Sequence, residues 1–309
     1  MNAAPPLKAF LLGGATATGK TELCHRLARN QPGASILSAD SMLVYRGMDI
    51  GTAKPSPRQL AEIPYGGINL VDPDQPFSAG LWLQHAKTFA SQARGPLFVT
   101  GGTGLYLRAL TEGFNRPVPD EAVRARVRSL WNEGGIDAIR SHLPQSVVSL
   151  LDDPGNPRRL MRALEVVLSG GDERAFLGGR VAVRRGRFPV LSRPREVLHR
   201  RIRLRAEGMF SGGLLEEVRA LRRRYPVWSE TAGSAIGYAE AVAFLEGRLG
   251  LSEAVDRVAA RTRQLARRQE TWLRHQADAV WLEWGDESPE EMAQRVQEVW
   301  EQDGPVALA

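Results

Sequence analysis

Cysteine is almost absent from this chain. Cys24 is the only cysteine among 309 residues, so no disulfide can form within the molecule. A chain of this length can hold its fold by burying apolar side chains, and such cysteine usage suits a reducing cytoplasm. Cys24 follows a glycine-rich loop, and we expect it to be a small buried side chain rather than a catalytic thiol.

Long apolar runs are missing as well. None approaches the roughly 20 residues of a membrane-spanning helix, and the N-terminus has no basic segment followed by an apolar one. We therefore expect a cytoplasmic protein with no membrane segment and no signal peptide. Hydrophobic residues form 43% of the chain and charged residues 25%, as in ordinary globular proteins. The length suits one large domain or two modest ones.

Lysine is scarce although the chain is basic. The net charge is +6, yet only four of the 41 basic residues are lysines. A GC-rich genome would favour arginine without a functional reason, whereas an anionic partner would favour clustered arginines. Ten arginines and one acid lie between Arg180 and Arg205, and six arginines and one acid lie between Arg257 and Arg274. This clustering favours the anionic partner.

Short apolar runs alternate with helical patterns along the first part of the chain. The runs are bounded by glycine or turn residues, which indicates buried strands. The predicted strands are residues 7–13, 34–39, 67–71 and 96–100, and the predicted helices are residues 22–29, 78–93 with Ser78 as N-cap, and one through Leu110. This order predicts an α/β fold in which a parallel sheet is flanked by helices, as in P-loop NTPases.

The pattern changes after Pro117. Residues 118–187 contain helical segments, the first capped by Asp120, and end in a glycine- and arginine-rich stretch that we expect to be a mobile exit. Phe188 to Leu191 returns to the sheet, and the rest is mostly helical with a short strand from Ala279 to Leu282. We therefore predict a catalytic core formed by residues 1–117 and 188–309, with an all-helical insertion domain at 118–187.

A glycine-rich loop carries the strongest motif. The stretch "GGATATGKTE" follows an apolar run and fits the pattern Gly-x-x-x-x-Gly-Lys-[Ser/Thr]. Its backbone N–H groups and the N-terminus of the next helix favour an anion. Lys20 would reach terminal phosphate oxygens, and the Thr21 hydroxyl would bind Mg²⁺. The predicted phosphate-binding residues are Gly14, Ala15, Thr16, Ala17, Thr18, Gly19, Lys20 and Thr21.

The second carboxylate of a typical NTPase is missing. Such a carboxylate follows an apolar strand and holds Mg²⁺, but the strand "PLFVTGG" ends without an acid. This absence argues against an ATPase motor. Asp40, in "SILSADS", is the one comparably placed acid, and it is either a general base facing the phosphate site or a turn former.

Two further motifs have open interpretations. In "GGTGLY", Thr103 lies among glycines that either permit a close approach to a ligand or form a tight turn. In "PRRLMRALEV", Arg158 and Arg162 share a helix face at i, i+4. That face is either solvated or bound to a phosphate backbone.

These stretches together resemble the tRNA dimethylallyltransferases, the tRNA isopentenyltransferase family. The matching pieces occur in family order and span nearly the whole chain: "GGATATGKT", "ADSMLVYRGMDIGTAKP", "VDPDQPFSAG", "VTGGTGLYLRAL", "NPRRLMRALEV" and "RQLARRQETWLR". The chain departs from the family at Ala15, usually proline, at Thr18, usually serine, and at Pro64–Gly67, which lacks a frequent histidine. Residues 170–187 do not follow the family closely.

The resemblance implies a reaction. The dimethylallyl group of dimethylallyl diphosphate passes to N6 of the adenine 3′ of the anticodon, at tRNA position 37, and diphosphate leaves. The catalytic positions implied are Asp40 as general base, Thr103 at the reacting centre, and Arg205 and Lys20 on the diphosphate, with Mg²⁺ on Thr21. The positions implied to contact the tRNA anticodon stem-loop are Asp40, Ser41, Met42, Leu43, Arg124, Arg158, Arg159, Leu160, Met161 and Arg162. The arginine-rich helix from Arg257 to Arg274 would add phosphate contacts, and we expect a monomer.

Two other functions remain open from the residues alone. A P-loop small-molecule kinase would use Asp40 to activate an acceptor hydroxyl, but it gives no reason for the clustered arginines or for "GGTGLY". An RNA-binding module with an inactive phosphate loop would not need Lys20, Thr21 and Asp40. The loop could also bind nucleotides in addition to a diphosphate.

Overall fold

The computed structural model describes residues 7–113, 120–151, 153–171 and 186–309. The chain forms two compact units, one of residues 1–113 and 184–309 and the other of residues 114–183. Residues 172–185, most of the segment predicted to be a mobile exit, lie outside the described residues, as does the predicted domain boundary at Pro117.

The larger unit is built on a seven-stranded sheet in the order β3-β2-β4-β1-β5-β6, with β7 also paired to β1. All neighbours in this order are parallel, while β7 is antiparallel to β1. The strands are β1 (Lys8–Gly14), β2 (Ser35–Ser38), β3 (Tyr65–Gly66), β4 (Leu97–Gly101), β5 (Phe188–Ser192), β6 (Ala279–Glu283) and β7 (Val306–Ala307). The predicted parallel sheet of an α/β fold is confirmed.

Helices cover both faces of this sheet. Successive strand residues point to opposite sides, so adjacent apolar residues of one strand are buried under different helices. Leu12 packs in one buried cluster with α1 and α13, and its neighbour Leu11 packs in another with the helices of the opposite face. The helices of the larger unit are α1 (Lys20–Arg29), α2 (Pro57–Glu62), α3 (Ala79–Ser91), α4 (Gly104–Glu112), α8 (Arg195–Ser211), α9 (Leu214–Arg224), α10 (Glu230–Gly233), α11 (Tyr238–Leu245), α12 (Leu251–Gln276) and α13 (Pro289–Asp303).

One strand prediction was wrong and one strand was not predicted. Residues 67–71 do not form a strand, and Val71 makes only an isolated bridge with Tyr45. The strand ends at Gly66 because Gly67 turns the chain at φ +77°, in the left-handed region that favours glycine. A side chain on Gly67 would also lie 2.4 Å from the Ser38 carbonyl oxygen. The two-residue β7 was not predicted, since so short a strand leaves no periodic pattern.

Several local predictions are confirmed. Ser78 caps α3 by accepting a hydrogen bond from Leu81 N–H at 3.2 Å, as its position before the helical pattern predicted. Cys24 is fully buried, and burial raises the pKa of its thiol to about 12. It is therefore an inert packing residue.

None of the described helices is both long and apolar enough to span a bilayer.

The smaller unit is helical over its described residues, 120–151 and 153–171, as predicted. Its helices are α5 (Glu121–Ser141), α6 (Gln145–Ser149) and α7 (Pro157–Leu168). Asp120 caps α5 by accepting from Val123 N–H at 2.8 Å, and α5 is kinked at Gly134 and Gly135. A separate apolar cluster, which includes Val127, Ile139 and Leu164, forms its core.

Candidate active site

The phosphate loop joins β1 to α1. β1 ends at Gly14 and α1 begins at Lys20, so five residues turn the chain between them. Gly19 adopts φ +100° at the N-terminus of α1, which glycine does without strain. The loop's backbone N–H groups and the helix N-terminus meet at this edge of the sheet, where an anion is favoured.

Lys20 lies inside the loop. Its ammonium group donates a hydrogen bond to the Ala15 carbonyl oxygen at 3.1 Å, and the side chain is buried. The pKa of Lys20 is lowered to about 8, mainly by burial; nearby Asp40 opposes this shift and Arg205 adds to it. The cation is thus poorly solvated, and a bound phosphate would stabilise it.

Three arginines from the segment around α8 contact the loop. Arg205 donates to Thr16 Oγ1 at 3.3 Å and to the Thr52 carbonyl oxygen at 3.1 Å. Arg201 donates to the Ala17 carbonyl oxygen at 2.8 Å, and Arg193 donates to that of Thr18 at 3.1 Å. Burial lowers the pKa of Arg205. The positive charge around the loop therefore comes from side chains distant in sequence.

Asp40 and Thr103 lie beyond the ends of neighbouring strands β2 and β4. Asp40 Oδ1 accepts a hydrogen bond from Met42 N–H at 2.9 Å, and Thr103 Oγ1 accepts one from Ser41 N–H at 3.1 Å. Each side chain thus fixes the turn that follows β2. The two residues predicted as general base and reacting-centre hydroxyl are brought to one site.

Two glycines of "GGTGLY", Gly102 and Gly104, lie directly against helix α12. A side chain on Gly104 would lie 2.1 Å from the Trp272 ring, and one on Gly102 would lie 2.4 Å from the Gln269 amide. They therefore admit helix α12 against this turn. Gln269 is buried there, and its Oε1 accepts from Thr16 N–H at 2.8 Å.

Two cavities meet at the site. The smaller, of about 40 Å³, is lined by Lys20 and Thr21, and the larger, of about 410 Å³, is lined by Ser41, Thr103 and residues of α8 and α12. Both are lined by Thr16, Asp40, Thr52 and Arg205. Arg205 Nε and Thr100 Oγ1 are buried without a hydrogen-bond partner among the described residues. Unsatisfied buried polar atoms are costly, so the site is suited to a polar ligand.

The described residues contain no group of three or more histidine, cysteine, aspartate or glutamate side chains that could hold a metal ion. Mg²⁺ often takes only one or two protein oxygens and completes its shell with phosphates and water. The Thr21 hydroxyl lies beside the smaller cavity, where it fits Mg²⁺ that enters with a phosphate ligand.

The residues predicted to contact tRNA fall into two groups. Asp40, Ser41 and Met42 line the larger cavity of the core unit, and Leu43 lines the smaller one. The others lie in the helical unit: Arg124, Arg158, Arg159, Leu160, Met161 and Arg162. Arg158 and Arg159 are exposed at the start of α7, and Arg162 also pairs with Glu165 at 2.9 Å.

The structure corrects the prediction that Leu160 contacts tRNA. Its side chain has no exposed surface and packs in the core of the helical unit. Leu160 stands between Arg159 and Arg162 in the sequence, but its side chain is on the buried face of α7. A direct contact of this side chain with RNA is therefore not compatible with the fold.

Sequence reasoning missed three residues of the site. Arg193 and Arg201 were counted only as members of a basic cluster, and Gln269 lay unassigned within the motif "RQLARRQETWLR". The clustering itself was the available signal. It was interpreted as charge for an external partner, whereas these side chains contact the chain's own phosphate loop.

Comparison with known proteins gives a consistent result. The IPP transferase family profile matches residues 43–276, and an isopentenyl transferase profile matches residues 7–64. A tRNA dimethylallyltransferase of Thermus thermophilus is 40% identical over 286 residues, which cover 90% of this chain and 93% of the relative. One of Anaeromyxobacter sp. (strain K) is 39% identical over 287 residues, covering 89% and 93%.

Solved structures agree. The full-length tRNA isopentenylpyrophosphate transferase of Bacillus halodurans is 31% identical and superposes with a TM-score of 0.68, covering 96% of this chain and 98% of that one. A eukaryotic dimethylallyltransferase acting on tRNA shares the fold with a TM-score of 0.72 at 22% identity, covering 96% and 76%. The profile match over residues 43–276 and the relatives near 40% identity show that this chain belongs to the IPP transferase family.

Proposed function

We propose that this chain transfers the dimethylallyl group of dimethylallyl diphosphate to N6 of the adenosine at position 37 of tRNA. The observation that best supports this is the pair of adjoining cavities, which share Asp40 and Arg205. A diphosphate at the loop and an adenine in the larger cavity would meet between these two side chains. The reaction breaks the allylic C–O bond, forms an N6–C bond and releases diphosphate and one proton.

Charge develops on the diphosphate as the C–O bond breaks, so fixed positive groups around it lower the barrier. The loop N–H groups, Lys20 and Arg205 would supply them. Mg²⁺, held with the Thr21 hydroxyl, would neutralise further phosphate charge when bound. Thr103 Oγ1 accepts from Ser41 N–H at 3.1 Å and donates only a long hydrogen bond to Ser41 Oγ at 3.5 Å, which it would exchange for one to the bridging oxygen.

N6 of adenine must lose a proton as it is alkylated. Asp40 would accept that proton, since one carboxylate oxygen is fixed by Met42 N–H and the side chain lines the larger cavity. The target base must leave its stack to reach this cavity. The exposed arginines of α7 would bind the RNA backbone meanwhile.

We further infer a cytoplasmic monomer. The inert buried thiol of Cys24 suits the reducing cytoplasm.

Nucleoside mass spectrometry tests this function. Unmodified tRNA is incubated with the protein, Mg²⁺ and dimethylallyl diphosphate, with labelled ATP as a separate donor. We expect N6-dimethylallyladenosine without ATP, and much slower formation of it by an Arg205→Ala variant. A strict requirement for ATP, or transfer of its labelled phosphate, would instead identify a kinase.

A further inference from the structure

In the segment "RGMDIGTAKP" (Arg46–Pro55), only Thr52 has been placed at the site so far. Its backbone is held from α9 and α11. Glu217 accepts hydrogen bonds from Asp49 N–H at 3.1 Å and from Ile50 N–H at 2.9 Å. The next amide, Gly51 N–H, donates to the Tyr238 hydroxyl at 3.2 Å. Three successive backbone N–H groups are thus bound by two side chains.

These two side chains also bond to each other. Tyr238 donates its hydroxyl hydrogen to Glu217 Oε1 at 2.5 Å. Burial and the neighbouring carboxylate raise the pKa of Tyr238, so the hydroxyl keeps its hydrogen. The contact is also tight, because a side chain on Gly51 would lie 2.3 Å from the Tyr238 ring. The backbone at Asp49–Gly51 therefore has little freedom to shift.

The residue that follows is Thr52. Its carbonyl oxygen accepts a hydrogen bond from the Arg205 guanidinium at 3.1 Å. On its other side Arg205 reaches Thr16 Oγ1 at 3.3 Å, while its Nε has no partner among the described residues. The direction of this guanidinium thus depends on where the backbone places the Thr52 carbonyl group. A cation stabilises developing charge only if it is aimed at it before reaction.

We propose that Glu217, assisted by Tyr238, is a positioning residue: it fixes the Asp49–Gly51 backbone and so orients Arg205 toward the leaving diphosphate. This inference rests on the proposed function for its chemistry. It also predicts that changes at Glu217 weaken the binding of diphosphate, which can be measured without the reaction. Glu217→Gln keeps the size of the side chain and replaces one acceptor oxygen by a donor. That donor would face a backbone N–H group or force the Tyr238 hydroxyl to reverse.

The test is a double-mutant cycle of Glu217→Gln with Arg205→Ala. Single-turnover alkylation at saturating substrates and calorimetric titration with inorganic diphosphate and Mg²⁺ are the two readouts. We expect Glu217→Gln alone to lower the rate about 10–100-fold, the usual effect of losing an orienting outer contact. Added to Arg205→Ala, it should lower the rate by less than about threefold, because both changes act through one group.

Glu216→Gln is the matched control. Glu216 is the adjacent acid on α9, is exposed and pairs with Arg219, so its loss should change neither readout. Tyr238→Phe should act in the same direction as Glu217→Gln and provides a second variant if the first does not fold. Fully additive losses in rate and affinity would overturn the inference while leaving the proposed function intact. If wild type alkylates no tRNA, the proposed function fails, and the diphosphate titrations still decide whether Glu217 acts through Arg205.

Discussion

Asp40 is the residue on which the proposed proton transfer depends. It ends the segment after β2, and its Oδ1 accepts from Met42 N–H at 2.9 Å. The same bond is typical of an aspartate that only forms a turn. Structure alone therefore fits both roles, and replacement by asparagine separates them because the amide oxygen keeps the turn and loses the base.

We expect Asp40→Asn to bind tRNA and dimethylallyl diphosphate nearly as wild type does. Its single-turnover rate should fall roughly 10²–10⁴-fold, the usual contribution of a positioned general base. Thermal unfolding of both proteins is the control for stability. A rate within about threefold of wild type, far outside that range, would remove Asp40 from the mechanism.

Lys20 gives a pH-dependent prediction at the same scale. Its pKa is lowered from 10.5 to about 8 in the ligand-free protein, and a bound diphosphate should raise it again. Below pH 8 the ammonium form is present in both states. Between pH 8 and 10.5 the free protein loses a proton that the complex retains, so affinity should fall as pH rises through this window.

Calorimetry of dimethylallyl diphosphate binding in two buffers of different ionisation enthalpy measures this proton directly. We expect net proton uptake at pH 9 for wild type and less uptake for Lys20→Met, in which the titrating group is gone. The ligand's own titration is common to both proteins and cancels in the difference. Equal uptake by the two proteins would show that Lys20 does not titrate on binding.

At the scale of elements, α12 packs against the start of α4 and contributes Gln269 to the phosphate loop. Gly104 lies against the Trp272 ring, and one turn earlier on α12 Gln269 reaches the Thr16 amide. Any side chain at Gly104 must push the helix outward, and tightly packed interiors do not absorb such a shift without cost.

We predict that Gly104→Ala lowers the free energy of unfolding by about 1–3 kcal/mol, as overpacking does, and weakens diphosphate binding through the loss of the Gln269 contact. Gly208→Ala, in the last turn of α8 with open space around it, is the matched control and should leave stability unchanged or raise it by at most about 1 kcal/mol. Denaturant unfolding compares them. Trp272→Leu should restore part of the loss, and an equal response to both alanine changes would refute the packing argument.

At the scale of the whole molecule, the arginine content serves two purposes. Part of it makes contacts within the chain: Arg193, Arg201 and Arg205 contact the phosphate loop, and Arg203 pairs with Asp256 and Glu207. Another part is exposed, including Arg158 at the start of α7. Net charge therefore overstates the surface available to an anionic partner, and the arginines must be tested individually.

Replacing Arg158 and Arg162 together by alanine should make the salt dependence of tRNA affinity shallower and leave diphosphate binding unchanged. Each lost phosphate contact removes about 0.7–0.9 from the log–log slope. Arg222 and Arg248, which pair with Glu246 on the core unit, give a control variant with the same loss of charge. An unchanged slope for Arg158 and Arg162 would show that their face of α7 is only solvated.

The sequence by itself determined the strand–loop–helix around Lys20, the caps at Ser78 and Asp120, and the helical unit between the two parts of the core. These features depend on residues within a few positions of one another, so local patterns contain them. Asp40 and Thr103 could also be assigned to one site, since parallel strands place their carboxyl ends on one edge.

Tertiary structure decided the rest. Gln269 lies 253 positions from the Thr16 amide that it binds, and Arg201 lies 184 positions from Ala17. No periodicity connects such residues, because their proximity follows from how whole helices pack. The same holds for Glu217, which binds the backbone of Asp49 and Ile50, far away in sequence. Burial and distant contacts are properties of the assembled fold, and the distant contacts separate the arginines that hydrogen-bond to the loop from the rest.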